Sequence, residues 1–458
     1  MDETHQEPIP TTAAVAPAAF SPRLVAFLCK WCTYAGADLA GTSRLTYPPN
    51  VRALMLPCTG RIDITLVLRA FLQGADGVLV SGCHPGDCHY TAGNFRARRR
   101  WTLFRDLLDT LGFDLRRFEC AWISAAEGQK FARTITEFTE RLVALGPYRE
   151  LREVRQDRWP PLAPPLAEPA GGAPAREGQP GPCAELGAAA AAALEAGKVR
   201  VVVGWTRSPT LGRPRVLWAN HPDQARDLLA PGDAPANLAR VLRARRLRSS
   251  APFGLVARAA EVASLAVLLQ EKQLTAEQVV LFTFGADGKF LGPLDFAAAQ
   301  AAVGVPTAGP QSAPPTGFSP DVFRRLDALM ARAGAERWAF WSRQFERCLK
   351  CYACRQSCPM CGCDTCLADK NQPQWFPTAA DRPGNLAWHI TRAFHLAGRC
   401  VGCGACQAAC PGGLSLNLLG AALARSALAH FGHRASVDAA AVPLQADYRP
   451  DDPQGFIL

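Results

Sequence analysis

The chain of 458 residues lacks the features of a membrane or exported protein. No apolar run reaches the roughly 18 residues that a membrane-spanning helix requires. Residues 1–20 are acidic and then rich in proline and alanine, without a basic n-region, a twin-arginine pair or an apolar h-region, so they do not indicate export. We therefore expect a cytoplasmic protein of two to four domains without a membrane span.

Motifs for bond chemistry are missing as well. The sequence has no Ser-His-Asp arrangement, no convincing phosphate-binding loop and no H-E-x-x-H motif. Within residues 183–300, no G-x-G-x-x-G fingerprint follows a predicted strand. These absences favour a protein that does not itself catalyse the formation or cleavage of covalent bonds.

Aromatic residues are scarce around the arginines that carry most of the net charge of +10. One cluster contains Arg96, Arg98, Arg99 and Arg100, and a second contains Arg240, Arg243, Arg245, Arg246 and Arg248. Only Phe95 and Trp101 flank the first cluster, whereas nucleic-acid-binding patches usually interleave aromatic and basic residues. We expect solvated helix faces or a docking surface for an acidic partner, and no nucleic acid.

Cysteine, by contrast, is abundant, and its eighteen copies suit metal ligation in a reducing compartment. Eight of them form two C-x2-C-x2-C-x3-C-P runs, the pattern that binds cubane iron–sulfur clusters, with the fourth thiolate crossing to the other cluster. Two zinc knuckles are the alternative, but they need no such closing x3-C-P. We predict one [4Fe–4S] cluster on Cys348, Cys351, Cys354 and Cys410, and another on Cys400, Cys403, Cys406 and Cys358.

Three more cysteines follow the first run, namely Cys361, Cys363 and Cys366. A ferredoxin with two clusters does not require them. Three interpretations are open. The three cysteines supply ligands to a third [4Fe–4S] cluster whose fourth ligand is unidentified, they compete with the first run for Cys358, or they bind structural zinc. His389 and His395 are candidate nitrogen ligands, although a histidine in such a helix is more often a packing or solvated residue.

Residues 21–146 alternate between short apolar runs and helical patterns. Strands are predicted at residues 24–28, 51–56, 77–80 and 121–124, and helices at residues 62–72, 99–111 and 127–145. Runs of this kind are typical of buried parallel strands, and the alternation predicts an open α/β sheet.

Cysteines follow three of these predicted strands. Cys29, Cys58 and Cys83 each come directly after a strand or close to its end, and Cys32 and Cys88 lie nearby. Because the carboxyl ends of parallel strands share one edge, we expect five thiols to meet there. A [2Fe–2S] cluster on four of the five is favoured over zinc or a redox-active dithiol. Cys120 is expected at the opposite edge as a buried hydrophobe.

The rest of the chain is divided by two spacers. Residues 155–182 are rich in proline and glycine and predict a linker. A second α/β domain is expected over residues 183–300, with strands at residues 199–205, 253–257 and 279–284 and helices at residues 184–196 and 259–272. A spacer at residues 301–316 precedes the dicluster ferredoxin-like domain at residues 319–435, rich in helix and loop, and the tail after Asp438 is expected to be loosely held.

The N-terminal domain resembles the delta subunit of methyl-viologen-reducing hydrogenase over about the first 145 residues. The resemblance lies in FLCKWCTYAGADLAG from Phe27, YPPNVR from Tyr47, GCHPGDCHY from Gly82 and SAAEG from Ser124. It implies a [2Fe–2S] cluster. It also implies electron transfer from a hydrogenase or formate dehydrogenase to the flavoprotein subunit of heterodisulfide reductase.

Residues 191–284 and the cysteine run from Cys348 resemble the beta subunit of deazaflavin-dependent hydrogenases and formate dehydrogenases. Where that family has a cysteine-containing turn, this chain reads ARAAEVAS over residues 257–264. We therefore expect a scaffold domain without its own substrate. The favoured hypothesis is a non-catalytic electron-transfer subunit between a dehydrogenase and a heterodisulfide-reductase-type flavoprotein. The alternatives are a subunit that binds FAD and exchanges hydride with a soluble carrier, and a zinc or thiol regulatory protein.

Overall fold

The computed structural model describes residues 20–150, 182–232, 234, 236–244, 251–306 and 317–458. Nearly all of the predicted linker at residues 155–182, most of the spacer at residues 301–316, and Arg245, Arg246 and Arg248 lie outside these ranges. Among the described helices, none is both long enough and apolar enough to cross a bilayer.

The N-terminal domain is an open sheet of four parallel strands. These are β1 (Leu24–Cys29), β2 (Val51–Leu56), β3 (Gly77–Gly82) and β4 (Phe118–Trp122), in the spatial order β2-β1-β3-β4. Four helices follow the strands: α1 (Ala35–Thr42), α2 (Ile64–Leu72), α3 (Gly93–Leu111) and α4 (Gly128–Leu145). The strand order reverses between β1 and β3, and such a switch point is where open α/β sheets bind ligands.

The sheet is less uniformly buried than the apolar runs predict. β2 lies at the edge with one neighbouring strand, and Leu54 and Met55 are 47% and 51% exposed, so the expectation of a fully buried strand was wrong there. β4 begins at Phe118, three residues earlier than predicted, because Asp114 caps a 3-10 turn just before it. Cys120 consequently lies in the middle of β4 and not at the opposite edge, although it is fully buried as expected.

The middle domain is a mixed sheet of five strands. They are β5 (Val202–Arg207), β6 (Pro214–Ala219), β7 (Phe253–Ala257), β8 (Val279–Phe284) and β9 (Phe290–Leu294), in the order β6-β5-β7-β8-β9. The described helices of this domain are α5 (Ala184–Glu195), α6 (Pro222–Ala225), α7 (Ala259–Gln270) and α8 (Phe296–Ala302). The antiparallel edge strands β6 and β9 were not predicted, because each contains proline and is half-exposed, unlike the buried parallel centre.

The C-terminal region is helical, as predicted. Its helices are α9 (Pro320–Met330), α10 (Gly334–Glu346), α11 (Ala353–Gln356), α12 (Arg382–His395), α13 (Ala405–Ala408) and α14 (Leu416–Phe431). The short helices α11 and α13 lie inside the two cysteine runs, and the longer α12 and α14 pack beside them.

The N-terminal domain and the ferredoxin-like region share one hydrophobic core, although the middle domain separates them along the chain. Phe104 of α3 meets Phe394 of α12 edge to face at 6.0 Å, and the indole Nε1 of Trp341 donates a 3.1 Å hydrogen bond to the carbonyl of Thr110. Large apolar contacts of this kind hold two units in a fixed relation.

The C-terminal tail is held against the N-terminal domain, so the expectation of a loose tail was wrong. The backbone N–H of Leu458 donates to Cys120 in β4, and the backbone N–H of Trp122 donates to Leu458. Arg98 and Arg99 are buried and bind the tail, and they are therefore neither a solvated face nor a docking surface. The spacing of the arginines within α3 could not predict these contacts, because the C-terminal tail is far from α3 in the sequence.

Candidate metal centres

The five cysteines of the N-terminal domain meet in one buried group. Cys29, Cys32, Cys58, Cys83 and Cys88 are between 1% and 9% exposed and pack against one another. The Sγ atoms of Cys29, Cys32 and Cys83 lie within 4.8 Å of one another. The Sγ atoms of Cys58 and Cys88 are 3.8 Å apart. The structure thus divides the five thiols into a group of three and a pair.

Strand ends and two polar anchors position these thiols. Cys29 is the last residue of β1, while Cys58 follows β2 and accepts a 3.4 Å hydrogen bond from the backbone N–H of Gly60. The side-chain amide of Asn94 donates to the carbonyls of Cys83 and His84 at 3.2 and 2.7 Å and so fixes the loop after β3.

Gly93, at the start of α3, leaves room for the pair. A Cβ atom at this position would lie 2.3 Å from Sγ of Cys58 and 3.2 Å from Sγ of Cys88. Real Cβ atoms do not approach a sulfur so closely, so a side chain there would displace the thiols. The close approach of the α3 backbone to the thiol pair therefore requires glycine.

The group of three concentrates negative charge. Hydrogen bonds from Cys32 and Cys83 lower the pKa of Cys29 to about 2, whereas the neighbouring Cys29 thiolate raises the pKa of Cys32 to about 12. The other thiols and burial also raise the pKa of Cys83. Buried thiols that cannot all ionise without a cation are suited to a metal centre, which replaces their protons.

The two ferredoxin runs have matching backbones. Lys350 and Tyr352 in the first run have positive φ angles of 52° and 59°, and the equivalent Gly402 and Gly404 in the second run have φ angles of 69° and 74°. Non-glycine residues rarely adopt this conformation, so a repeated left-handed turn before and after the second cysteine of each run indicates a shared requirement of the loop. Both loops are therefore wound in the same way.

The structure brings together all four members of one predicted crossed set and three members of the other. Cys358, Cys400, Cys403 and Cys406 line one cavity, so the last cysteine of the first run reaches the second. The pKa of Cys348 is raised first by burial and then by the charges of Cys410 and Cys351, its near neighbours. The spacing of the runs predicts this exchange of the fourth thiolate.

Arg392 of α12 lies at the centre of the cysteine-rich region, and its role was not predicted from the sequence. Its Nη2 donates a 3.1 Å hydrogen bond to the carbonyl of Cys354, and its Nε has no hydrogen-bond partner although it is buried. Burial lowers its pKa, but nearby thiols outweigh that effect and raise the pKa well above its usual value. Those thiols are Cys406, Cys361, Cys358 and Cys354. Only a three-dimensional arrangement reveals this role, because a single arginine in a helix carries no signal in the sequence.

The two candidate histidines occupy different surroundings. His395 lines a cavity together with Cys361, Cys363 and Cys366. His389 is instead buried and stacked on Phe345 with ring centroids 4.8 Å apart, and burial lowers its pKa to about 3. The structure therefore places His395, and not His389, beside the three extra thiols.

The middle domain contacts the second run through Asn237. Its side chain donates hydrogen bonds to the carbonyl of Ala260 and to the hydroxyl of Ser264, and it also reaches Cys403. Next to it, Glu261 is 1% exposed and forms a 3.1 Å ion pair with Arg258. The turn after β7 is thus filled by polar groups, and Asn237 connects this turn to the ferredoxin loop.

Comparison with known proteins identifies two parts of the chain. Residues 24–146 match the family of the methyl-viologen-reducing hydrogenase delta subunit, and residues 340–413 match the 4Fe–4S dicluster domain. The chain is 48% identical over 128 residues to the vhc iron–sulfur subunit of the F420-non-reducing hydrogenase of Methanococcus voltae, which covers 28% of this chain and 89% of that protein. It is 46% identical over 130 residues to the corresponding iron–sulfur protein of Archaeoglobus profundus, covering 28% and 95%.

The same part of the chain is similar to a segment of a larger protein. It is 48% identical over 135 residues to a subunit of the ferredoxin:CoB-CoM heterodisulfide reductase of Methanosarcina mazei, which covers 30% of this chain but only 17% of that protein. Relatives of this domain thus occur both as separate hydrogenase subunits and within a larger reductase subunit.

Proposed function

The chain belongs to the family of methyl-viologen-reducing hydrogenase delta subunits, and we propose that it relays electrons between a dehydrogenase and a heterodisulfide-reductase-type flavoprotein. The dehydrogenase is a hydrogenase, a formate dehydrogenase or another dehydrogenase. Relatives named as subunits of a hydrogenase and of a heterodisulfide reductase support the two ends of this relay. Its 4Fe–4S dicluster domain supports electron transfer as the task.

The observation that carries the proposal is that the N-terminal and C-terminal thiol groups belong to one packed body. The N-terminal domain and the ferredoxin-like region share a core, with contacts such as Phe104 on Phe394. Fixed distances between redox centres suit electron transfer, which needs no bond chemistry and no large motion. The protein's residues supply thiolates, buried positive charge and exclusion of water.

The division of the N-terminal thiols suggests how a [2Fe–2S] cluster is held. Each iron of such a cluster takes two thiolates. We assign Cys58 and Cys88 to one iron, since their sulfurs are 3.8 Å apart, and two of Cys29, Cys32 and Cys83 to the other. The spare cysteine is then one of these three.

The polar filling of the turn after β7 supports a structural role for the middle domain. Arg258 donates to the carbonyls of Gly232, Ala234 and Ala236, as well as to Glu261. This network ties the turn to its own domain, and Asn237 extends it to the second cysteine run. Such a turn favours the relay over a subunit that binds FAD.

The relay is tested with the full chain purified without oxygen. We expect acid-labile sulfide, no stoichiometric flavin, and cluster signals in electron paramagnetic resonance (EPR) spectra after reduction. Hydrogen or formate should reduce the clusters only when the matching dehydrogenase is present, and a heterodisulfide-reductase-type flavoprotein should reoxidise them. Stoichiometric FAD in the isolated chain would support the hydride-exchanging alternative, and absence of sulfide would support the zinc or thiol one.

Serine substitutions test the assignment of the N-terminal thiols. Cys58→Ser and Cys88→Ser should each abolish the [2Fe–2S] signal, while one of the three substitutions at Cys29, Cys32 and Cys83 should leave it in place. Cys120→Ser is the matched control, because that thiol is buried in β4 and outside the group of five. Retention of the cluster in Cys58→Ser would contradict the assignment.

A further inference from the structure

We propose that Cys361, Cys363, Cys366 and His395 bind a third [4Fe–4S] cluster. The four side chains line one cavity beside α12. It adjoins the cavity that contains Cys358 and the second cysteine run, since Met360, Arg392 and Leu396 line both and the thiols of Cys358 and Cys361 are hydrogen-bonded. Two cysteine runs account for the dicluster domain, and these three thiols remain outside both predicted ligand sets. The site is therefore additional to the two ferredoxin clusters.

The loop that carries the three thiols is fixed by arginines from outside it. Nη1 of Arg243, from the middle domain, donates a 3.2 Å hydrogen bond to the carbonyl of Met360. Nη2 of Arg355 donates a 2.9 Å hydrogen bond to the carbonyl of Cys363. Gly362 permits this approach, since a Cβ atom there would lie 2.2 Å from Cδ of Arg243. Such anchoring is typical of a pre-organised ligand loop.

His395 supplies the fourth ligand. Its Nε2 lies 4.0 Å from a carboxylate oxygen of Asp63, which leaves Nδ1 as the nitrogen for the metal. A histidine ligand usually has a carboxylate or carbonyl near its other ring nitrogen, because that partner fixes the ring orientation and raises its basicity. Asp63 is itself held in place, since its Oδ1 accepts a 2.9 Å hydrogen bond from the backbone N–H of Thr65.

The spread of the thiols favours a cubane over a single zinc ion. Tetrahedral zinc with Zn–S bonds of about 2.3 Å places its sulfurs about 3.8 Å apart. In the part of the chain that the structure describes, the only trio of potential ligand atoms within 4.8 Å is that of Cys29, Cys32 and Cys83. The Sγ atoms of Cys361, Cys363 and Cys366 do not all lie within 4.8 Å of one another, whereas a single zinc ion would need them that close and a four-iron cube would not.

Positive charge around the cavity complements an anionic cluster. Arg355, Arg392 and Arg399 all contribute to its wall, together with Trp388 and Met360. Glu271 neutralises Arg399 through an ion pair, whereas Arg392 is buried among thiols. A cluster with three thiolates is negatively charged, so the buried Arg392 stabilises it in a partly apolar cavity.

The position of the site connects the two redox domains. Asp63 belongs to the N-terminal domain, where it caps α2, and α2 packs against α12, which carries His395. The third cluster would therefore lie where the [2Fe–2S] domain meets the ferredoxin-like region. Its role as a bridge rests on the proposed relay, whereas its binding of iron does not.

Metal analysis of the full chain tests the binding site. The triple variant with serine in place of Cys361, Cys363 and Cys366 should contain about four irons and four sulfides fewer per chain than the wild type, and the other EPR signals should remain. Cys183→Ser, at a half-buried thiol before α5, is the control and should lose none. Unchanged iron in the triple variant, or loss of one zinc ion instead, would overturn the proposal.

The unsubstituted protein provides a test that does not depend on folding of a variant. Pulsed EPR of chain labelled with 15N-histidine should show a strong nitrogen coupling to one reduced cluster. His395→Cys should keep the iron but remove this coupling, while His221→Gln, at an exposed histidine of the middle domain, should leave it unchanged. Absence of the coupling in the wild type would overturn the assignment of His395. Failure of electron transfer to a flavoprotein, with iron and coupling as expected, would refute the relay and leave the site intact.

Discussion

Arg99 and Asp452 form a buried ion pair between α3 and the C-terminal tail. Nε of Arg99 lies 2.6 Å from Oδ2 of Asp452, and Nη2 lies 3.1 Å from Oδ1, so the contact is bidentate. The side chains are only 3% and 2% exposed. The two buried charges stabilise each other, and Nη1 of Arg99 also lies 3.3 Å from a carboxylate oxygen of the half-exposed Asp447.

Asp452→Asn should destabilise the docking of the tail by up to about 3 kcal/mol, because the buried Arg99 charge then keeps only its 3.3 Å contact with the half-exposed Asp447. The free energy of unfolding in denaturant and hydrogen exchange of residues 444–458 measure the effect. Asp327→Asn is the matched control. Its ion pair with Arg425 is exposed, and its loss should cost less than about 1 kcal/mol. Equal effects of the two substitutions would show that the buried pair contributes no more than a surface pair.

Gly93→Ala should remove the N-terminal cluster without unfolding the domain. The added methyl group would occupy the space of the Cys58 sulfur, which lies 2.3 Å from the position of the new Cβ. Gly41→Ala is the control, since nothing lies within 4 Å of a Cβ there, and in a helix this change should be neutral or stabilising by up to about 1 kcal/mol. Iron content and the [2Fe–2S] signal measure the outcome. A normal signal in Gly93→Ala would show that the helix can shift.

The strands and the positions of the thiols can be predicted from the sequence where they depend only on local patterns. The cysteines at the ends of β1 and β3 meet as expected, because parallel strands place their carboxyl ends at one edge. The same rule cannot tell an edge strand from a central one, so the exposure of β2 was not foreseen. It also cannot predict β6, whose position depends on pairing with β5.

Contacts between distant parts of the chain are beyond such local rules. Arg99 was expected on a charged surface because its partner, Asp452, lies in a tail of low periodicity. Arg392 and Asn237 contact cysteines only after separate elements have folded around them. For the same reason the sequence left His389 and His395 equivalent as ligands, whereas packing separates them.

The contact between His430 and Asp106 should make the stability of the domain interface depend on pH. Nε2 of His430 donates a 2.9 Å hydrogen bond to Asp106, which raises the pKa of His430 above its ordinary value of 6.5 in the folded state. A raised pKa means that this stabilisation is complete below about pH 6.5 and is lost as the pH rises through the folded-state pKa.

His430→Gln should therefore lower the stability at about pH 6 more than at about pH 8. The difference should be well below about 1 kcal/mol, because the side chain is 34% exposed and solvent screens the pair. Unfolding midpoints at both pH values measure it, and comparison with the wild type cancels the titration of the other histidines. An equal loss of stability at both pH values would mean that the hydrogen bond stabilises the interface equally well when His430 is neutral.

Arg392 should raise the reduction potentials of the clusters around it. Reduction adds negative charge, and a buried cation beside Cys354, Cys358 and Cys406 favours the more negative state. Arg392→Gln should therefore lower at least one potential by about 60 mV or more, which corresponds to a tenfold change in the equilibrium for one electron. Redox titration followed by EPR measures this shift.

Arg392→Lys separates the effect of charge from that of hydrogen bonding, because it keeps the cation but loses the planar guanidinium that reaches the carbonyl of Cys354. A small shift in Arg392→Lys with a large one in Arg392→Gln would assign the effect to charge, and unchanged potentials in both would contradict it.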